Sequence, residues 1–139
     1  MRIMAIDYGD AHTGIAISDP TGFLAGFTTV INAYRPEVVA EQVAALAREH
    51  GVEELVLGHP INMDGTRGPR SEKAQAMKTL LEETTSLPVV LWDERRTTID
   101  AHQILMNSGK NAKKRKKVVD AVAATLILEG YLTYKKSRQ

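Results

Sequence analysis

Three acidic positions lie far apart in the sequence, and each stands at the expected end of a secondary-structure element. Asp7 ends the first apolar run, Asp93 and Glu94 end a later one, and Asp120 lies in the first turn of an apolar helix. If the fold brings three acids together, they cannot all stay ionised without a counter-cation. Carboxylate oxygens at open strand ends suit Mg²⁺ or Mn²⁺. The pattern therefore predicts a divalent-metal centre.

Each acid also has a simpler interpretation. Asp7 begins an Asp-x-Gly sequence, which often marks a turn. Asp120 would be favoured at a helix N-terminus by the macrodipole alone. Asp93 and Glu94 are neighbours, so on a strand only one of them can face a shared centre. The other would face solvent, a neighbouring arginine or a backbone amide.

Positive charge is concentrated near the C-terminus. The net charge of +1 combines −6 over residues 1–109 with +7 over residues 110–139. Most of the excess lies in a predicted loop, residues 110–117, which contains Lys110, Lys113, Lys114, Arg115, Lys116 and Lys117. Such a block favours a polyanion partner, although a solvated loop that only aids solubility has the same composition.

Taken together, the acids and the basic block predict a metal-dependent nuclease. Two divalent ions about 4 Å apart can activate a water molecule and stabilise the leaving oxygen in phosphodiester cleavage. The basic residues 113–117 would hold the substrate backbone, and Arg95 and Arg96 are further candidates for phosphate contacts. The predicted partner is a nucleic acid.

The remaining sequence predicts the elements that position these residues. Short apolar or β-branched runs predict an antiparallel meander of three strands at 2–7, 14–18 and 25–31. Two further strands alternate with helices and should pair in parallel; the predicted segments are helix 36–50, strand 54–58, helix 71–84 and strand 88–92. Helices at 97–109 and 118–134 complete the expected order.

Composition limits the classes of protein to be considered. The chain has 139 residues, of which 43% are hydrophobic, and this length suits a single domain over residues 1–139. No apolar run approaches the roughly 18 residues of a membrane helix. The absence of cysteine excludes disulfides and thiolate chemistry. No signal peptide is evident, and we expect a cytoplasmic protein without membrane contact.

Four motifs resemble, in order and over nearly the whole chain, those of the YqgF/RuvX family. They are the segments 7–16, 58–66, 93–98 and 117–124, which match an Asp-x-Gly strand end, a Gly-x-Pro-x-Asn-Met-Asp-Gly-Thr loop, an Asp-Glu-Arg-x-Ser/Thr-Thr segment and a final helix. Members are RNase H-like proteins described as Holliday-junction resolvases and pre-16S rRNA nucleases. Each motif is weak alone, whereas the ordered set is highly specific.

This resemblance implies an α/β, RNase H-like fold with a mixed five-stranded sheet, three strands antiparallel and then two parallel, flanked by helices. It implies that Asp7, Glu94 and Asp120 bind the metal and act in catalysis, with Asp93 a weaker candidate than Glu94. It further implies maturation of the 5′ end of 16S ribosomal RNA, with action on four-way DNA junctions as the alternative.

Two histidines depart from the family pattern near the predicted centre. His12 stands where Arg or Lys is usual; it is a candidate for a phosphate contact or a proton shuttle, but we expect a turn histidine half in water. His59 replaces an apolar residue; it is a candidate base near the site, but we expect it to pack or to shape a turn. Two other functions compete with the nuclease. One is an actin/hexokinase-like ATPase, for which one Asp-x-Gly and 139 residues leave no second domain. The other is a non-catalytic RNA-binding factor.

Overall fold

A computed structural model of the chain describes residues 1–21, 25–59, 68–93 and 112–137, with only the backbone described over 112–121. Its elements, in chain order, are β1 (Arg2–Asp7), β2 (His12–Ser18), β3 (Ala25–Asn32), α1 (Pro36–His50), β4 (Val52–His59), α2 (Pro69–Thr85), β5 (Val89–Asp93) and α3 (Ala112–Ser137). The helix expected at 97–109 lies outside the described residues.

The five strands form one mixed sheet in the order β3-β2-β1-β4-β5. β1 pairs antiparallel with β2, and β2 pairs antiparallel with β3. β1 pairs in parallel with β4, and β4 with β5. The predicted arrangement of three antiparallel strands followed by two parallel ones is confirmed. Because β1 lies in the middle of the sheet, its carboxyl end is flanked by strands on both sides.

Alternate residues of β1 supply two separate hydrophobic cores. Met4 and Ile6 pack with Val39 and Val43 of α1 and with Met77 of α2. The intervening side chains, together with a residue of β4, pack against α3; this second cluster contains Ile3, Ala5, Val56, Ala124, Ile127 and Leu128. Since strand side chains alternate between faces, a strand covered on both faces must be apolar throughout, as the first run is.

The first two helices form where the sequence predicts them, for local reasons. Pro36 occupies the first turn of α1, where its missing N–H costs nothing. Gly51 ends α1 in the left-handed conformation, with φ 66° and ψ 38°, and donates its N–H to Ala47, a conformation that glycine adopts without steric cost. Pro69 begins α2 in the same way as Pro36 begins α1, two residues before the predicted start.

The last helix is longer than the sequence analysis expected. α3 begins at Ala112 rather than at residue 118, so the prediction of a loop over residues 112–117 was wrong. Ala, Lys and Arg are among the best helix formers, and no Gly or Pro occurs between Gly109 and Gly130. Extending an existing helix is also far easier than nucleating one. Within the described residues, no helix combines the length and apolar composition needed to cross a bilayer.

Candidate functional site

Asp7 lies at the carboxyl end of the central strand, on the face covered by α3. It is the last residue of β1 and is half-buried. Ile3 and Ala5, two and four residues earlier, belong to the core that packs against α3. The alternation of strand side chains therefore assigns Asp7 to the α3 face.

Contacts at the far end of α3 fix the direction in which the helix crosses the sheet. Tyr131 donates a hydrogen bond to Glu54, near the start of β4. Lys135 lies 3.2 Å from the same carboxylate and also contacts the sulfur of Met1. The C-terminal end of α3 thus covers the amino ends of β1 and β4. If α3 runs roughly along these strands, its N-terminal half extends toward their carboxyl ends.

Simple distances bring position 120 of α3 level with Asp7. Asp120 precedes Tyr131 by eleven residues, a rise of about 16 Å along a helix. Glu54 pairs with Ile3, and Asp7 lies four residues further along β1, a rise of about 13 Å. Position 120 also shares its helical stripe with Ala124 and Ile127, which are fully buried against the sheet.

Asp93 lies on the other face of the sheet from Asp7. In β5, Val89 and Leu91 contribute to the core beneath α1 and α2, whereas Val90 and Trp92 pack on the α3 side. Asp93 therefore alternates to the α1/α2 side, and its register partner is His59. The adjacent candidates Glu94, Arg95 and Arg96 lie outside the described residues.

The predicted donor set fits a hard divalent ion. Asp7 offers a half-buried carboxylate at an open strand end, and the other predicted ligands are carboxylates too, which suits Mg²⁺ or Mn²⁺ better than thiolate-seeking metals. Among the side chains that the structure describes, no three His, Asp or Glu are grouped to hold a metal. The side chains of Glu94 and Asp120 are not in that set.

The two histidines have structural partners. His12 is the first residue of β2, not part of a turn as expected, because the ladder to β3 extends to the pair His12–Asn32. Its Nδ1 lies 2.6 Å from Oδ1 of Asn32. His59 is buried at the end of β4, with Nε2 2.6 Å from the hydroxyl oxygen of Ser71 in α2. The packing role predicted for His59 is confirmed.

The basic segment lies on helical backbone. Residues 112–117, which include Lys113, Lys114, Arg115, Lys116 and Lys117, form the first turns of α3. Because the N-terminal half of α3 extends toward the carboxyl ends of β1 and β4, the basic turns stand at the same end of the molecule as Asp7. Chain topology thus places Asp7 and the backbone of the basic segment at the same edge of the sheet.

Sequence reasoning missed three residues beside this edge. Tyr8, Arg70 and Lys73 line a small pocket at the carboxyl ends of β1 and β4 and the N-terminus of α2. Tyr8 directly follows Asp7 and alternates to the opposite face, where it packs against the α1/α2 core. A usable signal was present in the sequence, because Pro69 marks a helix start and places Arg70 and Lys73 within its first turn and a half.

Comparisons with known proteins identify relatives of this chain. A family model described as "RuvX: Holliday junction resolvase" matches residues 1–134. A protein of Halothermothrix orenii, named as a candidate pre-16S rRNA nuclease, is 45% identical over 134 residues, covering 96% of each chain. A protein of Bacillus subtilis with the same name is 42% identical, covering 95% of this chain and 97% of its own.

Solved structures are similar to this chain in fold. RuvC of T. thermophilus in complex with a Holliday junction substrate superposes with a TM-score of 0.65 at 14% identity, covering 99% of this chain and 96% of that chain. At this identity the likeness concerns the fold. It confirms that the sheet and helices are arranged as in the RuvC fold.

Proposed function

This chain belongs to the RuvX family of Holliday junction resolvases, and from that premise we propose that it is a divalent-metal-dependent endonuclease whose centre comprises Asp7, Glu94 and Asp120. The observation that carries the proposal is the position of Asp7 relative to α3. Asp7 lies on the α3 face of the sheet, and helix geometry puts backbone position 120 about level with it, four residues before the buried Ala124.

Strand alternation supports Glu94 over Asp93 as the third ligand. Asp93 belongs to the face that carries α1 and α2, whereas Trp92 packs on the α3 face. A residue following Asp93 in extended backbone would return to the face of Trp92 and Asp7. We therefore assign the third carboxylate to Glu94.

The three carboxylates would hold Mg²⁺ or Mn²⁺. When bound, such an ion supplies an activated water and stabilises the leaving oxygen of a phosphodiester. The chain's own contribution is to hold Asp7 on the central strand, where packing on both faces of the sheet restrains the backbone. The basic turns of α3 would bind the substrate backbone at the same edge.

For the substrate, we propose the precursor of 16S ribosomal RNA, cleaved in the cytoplasm during maturation of its 5′ end. The support comes from relatives at 45% and 42% identity, which are named as candidate pre-16S rRNA nucleases. The description of the family favours a second candidate, a four-way DNA junction. A non-catalytic RNA-binding factor would retain the basic turns but would not need the acids.

One side-by-side assay tests these alternatives. The purified chain with Mn²⁺ or Mg²⁺ is offered a precursor RNA that spans the 5′ end of 16S rRNA and, separately, a four-way DNA junction. We expect Asp7→Asn, Glu94→Gln and Asp120→Asn each to abolish cleavage while binding persists. Two matched controls neutralise acids elsewhere in the fold. Asp19→Asn lies just after β2, at the end of that strand away from Asp7, and Glu82→Gln lies on α2. Both variants should cleave normally.

The outcomes separate the proposals clearly. Full activity in Asp7→Asn or Asp120→Asn would show that the centre is assigned wrongly. Binding without cleavage by the wild-type chain, with either ion and on either substrate, would favour the non-catalytic factor. Cleavage of the junction but not of the RNA would select the resolvase activity.

A further inference from the structure

We propose that Tyr8, Arg70 and Lys73 form a separate phosphate-binding subsite for a backbone phosphodiester of the nucleic acid, away from the bond that is cleaved. The inference rests on the proposed nuclease function, because it assumes a nucleic acid running along the carboxyl edge of the sheet. The subsite is proposed in addition to the phosphate contacts proposed above for the basic turns of α3 and predicted for Arg95 and Arg96.

The position of the pocket suits a substrate that passes Asp7. The pocket lies where β1 and β4 end and α2 begins, and its walls include Tyr8, Gly58 and Lys73. Tyr8 is the residue after Asp7, so the subsite is one residue from the proposed centre and faces the other side of the sheet. Ligands of open α/β sheets gather in the crevices outside the carboxyl ends of the strands.

Three kinds of donor converge there on an anion. Arg70 and Lys73 both lie near the N-terminus of α2, which has no side-chain cap and carries the positive end of a 17-residue helix. Tyr8 adds a hydroxyl group. A tyrosine hydroxyl can donate a hydrogen bond to a phosphate oxygen, and Tyr8 lines the pocket together with Arg70 and Lys73.

A carboxylate already takes the place that a phosphate oxygen would occupy. Nζ of Lys73 lies 3.1 Å from Oδ1 of Asp10, and the two side chains are 60% and 86% exposed. An ion pair this exposed is weak, so a phosphate can displace Asp10. The pocket itself has a volume of about 10 Å³, room for about one water molecule. A phosphate would therefore sit across its mouth, against Arg70 and Lys73.

The same helix provides a matched control pair. Lys78 lies 3.3 Å from Glu82 on α2, away from the pocket. Lys73→Gln and Lys78→Gln thus remove the same charge from the same helix, and each breaks one ion pair, exposed for Lys73 and partly buried for Lys78. Asp10→Asn and Glu82→Gln form the corresponding pair of acidic variants. Only the first member of each pair touches the proposed subsite.

The experiment measures binding in EDTA, without cleavage, over a series of salt concentrations. The probes are the 16S precursor RNA and the four-way DNA junction. Each lost phosphate contact reduces the slope of log K against log[salt] by about 0.7 for single strands and 0.9 for duplex DNA. Over the tenfold range from 1 M to 0.1 M salt, that change in slope corresponds to an affinity about fivefold to eightfold lower for the variant. We expect this loss for Arg70→Gln and for Lys73→Gln.

Neutralising the acidic partners should raise the affinity for nucleic acid rather than lower it. Asp10→Asn should tighten binding because it removes the competing carboxylate, and Glu82→Gln should have a smaller effect. Loss of affinity in Lys73→Gln combined with a gain in Asp10→Asn is not expected from damage to the fold. If Arg70→Gln and Lys73→Gln matched Lys78→Gln in affinity and slope, the subsite would be refuted.

This test is independent of catalysis. Normal cleavage by the wild-type chain, together with unchanged binding of Arg70→Gln and Lys73→Gln, would refute the subsite and leave the nuclease proposal intact. Flatter salt dependence of those variants, in a chain that cleaves neither probe with Mg²⁺ or Mn²⁺, would support a phosphate contact and refute the nuclease.

Discussion

Tyr131 of α3 donates a hydrogen bond to Oε1 of Glu54 in β4, although 77 residues separate them. Oε2 of the same carboxylate lies 3.2 Å from Nζ of Lys135. Glu54 is only 9% exposed, and a buried carboxylate is costly unless it is paired and hydrogen-bonded. These contacts fasten the C-terminal end of α3 over the start of β4. They thereby fix the direction of the helix that carries Asp120.

Removing the Tyr131 hydroxyl should destabilise the fold. We expect Tyr131→Phe to lower the free energy of unfolding by about 1–3 kcal/mol, because Glu54 stays buried with one donor fewer. The ring contact with Trp92, at 5.9 Å between centroids, is retained. Urea unfolding provides the measurement. Tyr34→Phe is the control, since Tyr34 is 80% exposed, and it should change stability by less than about 0.5 kcal/mol. Equal effects in the two variants would contradict the role of the bond.

The same hydroxyl should make stability depend on alkaline pH. Burial and the hydrogen bond to Glu54 raise the pKa of Tyr131 above its ordinary value of 10.0. A raised folded-state pKa gives stability that is complete below pH 10 and is lost as the pH rises above it. Relative to Tyr131→Phe, the wild-type chain should lose about 1.4 kcal/mol per pH unit above pH 10. A difference that stays constant from pH 8 to pH 11 would argue against this linkage.

The two neighbouring acids after β5 should respond differently to neutralisation. Because Asp93 lies on the face away from Asp7, Asp93→Asn should retain cleavage within about tenfold. Glu94→Gln should lose more than the roughly 10–100-fold that outer-shell changes cost at a metal site. The test compares the cleavage rates of the two variants at saturating Mn²⁺, with substrate binding measured in parallel. A reversed order would exchange the two assignments.

The turn after Asp7 should tolerate no side chain at Gly9. A Cβ there would overlap the carbonyl oxygen of His12, so the β1–β2 connection beside the proposed centre would have to move. We expect Gly9→Ala to destabilise by about 1–3 kcal/mol. Gly26→Ala is a matched control in β3, where the added Cβ would meet Asp19 at an ordinary 3.5 Å. Gly26→Ala should leave stability unchanged or raise it. Thermal unfolding of the two variants measures the difference in stability.

Neutralising the basic turns of α3 should weaken binding and flatten its salt dependence. Replacing Lys113, Lys114, Arg115, Lys116 and Lys117 by Gln keeps residues of similar helix propensity, so the change concerns charge. Each phosphate contact that is lost should reduce the salt slope by about 0.7–0.9. Affinity for the precursor RNA and for the junction is measured in EDTA. If affinity did not change, the segment would serve solvation alone.

Local patterns in the sequence were sufficient for most of the architecture. Short apolar or β-branched runs located the strands, and a proline and a glycine bounded α1, because these signals depend on backbone sterics within a few residues. The start of α3 was missed. Residues 112–117 were predicted to form a loop because of their charge, but they are helical. Charge alone does not distinguish the two, since lysine and arginine occur both in solvated loops and in helices.

The amino-acid sequence by itself determined which acids and bases are available, the order of the elements and the family that their motifs resemble. Tertiary structure decided which groups share a face. Asp93 and Asp7 both end strands, yet packing of the sheet places them on opposite sides. Tyr8, Arg70 and Lys73 meet at one pocket although no sequence motif connects them. The reason is that strand register and the direction of α3 depend on contacts between residues far apart in the chain, such as Glu54 with Tyr131.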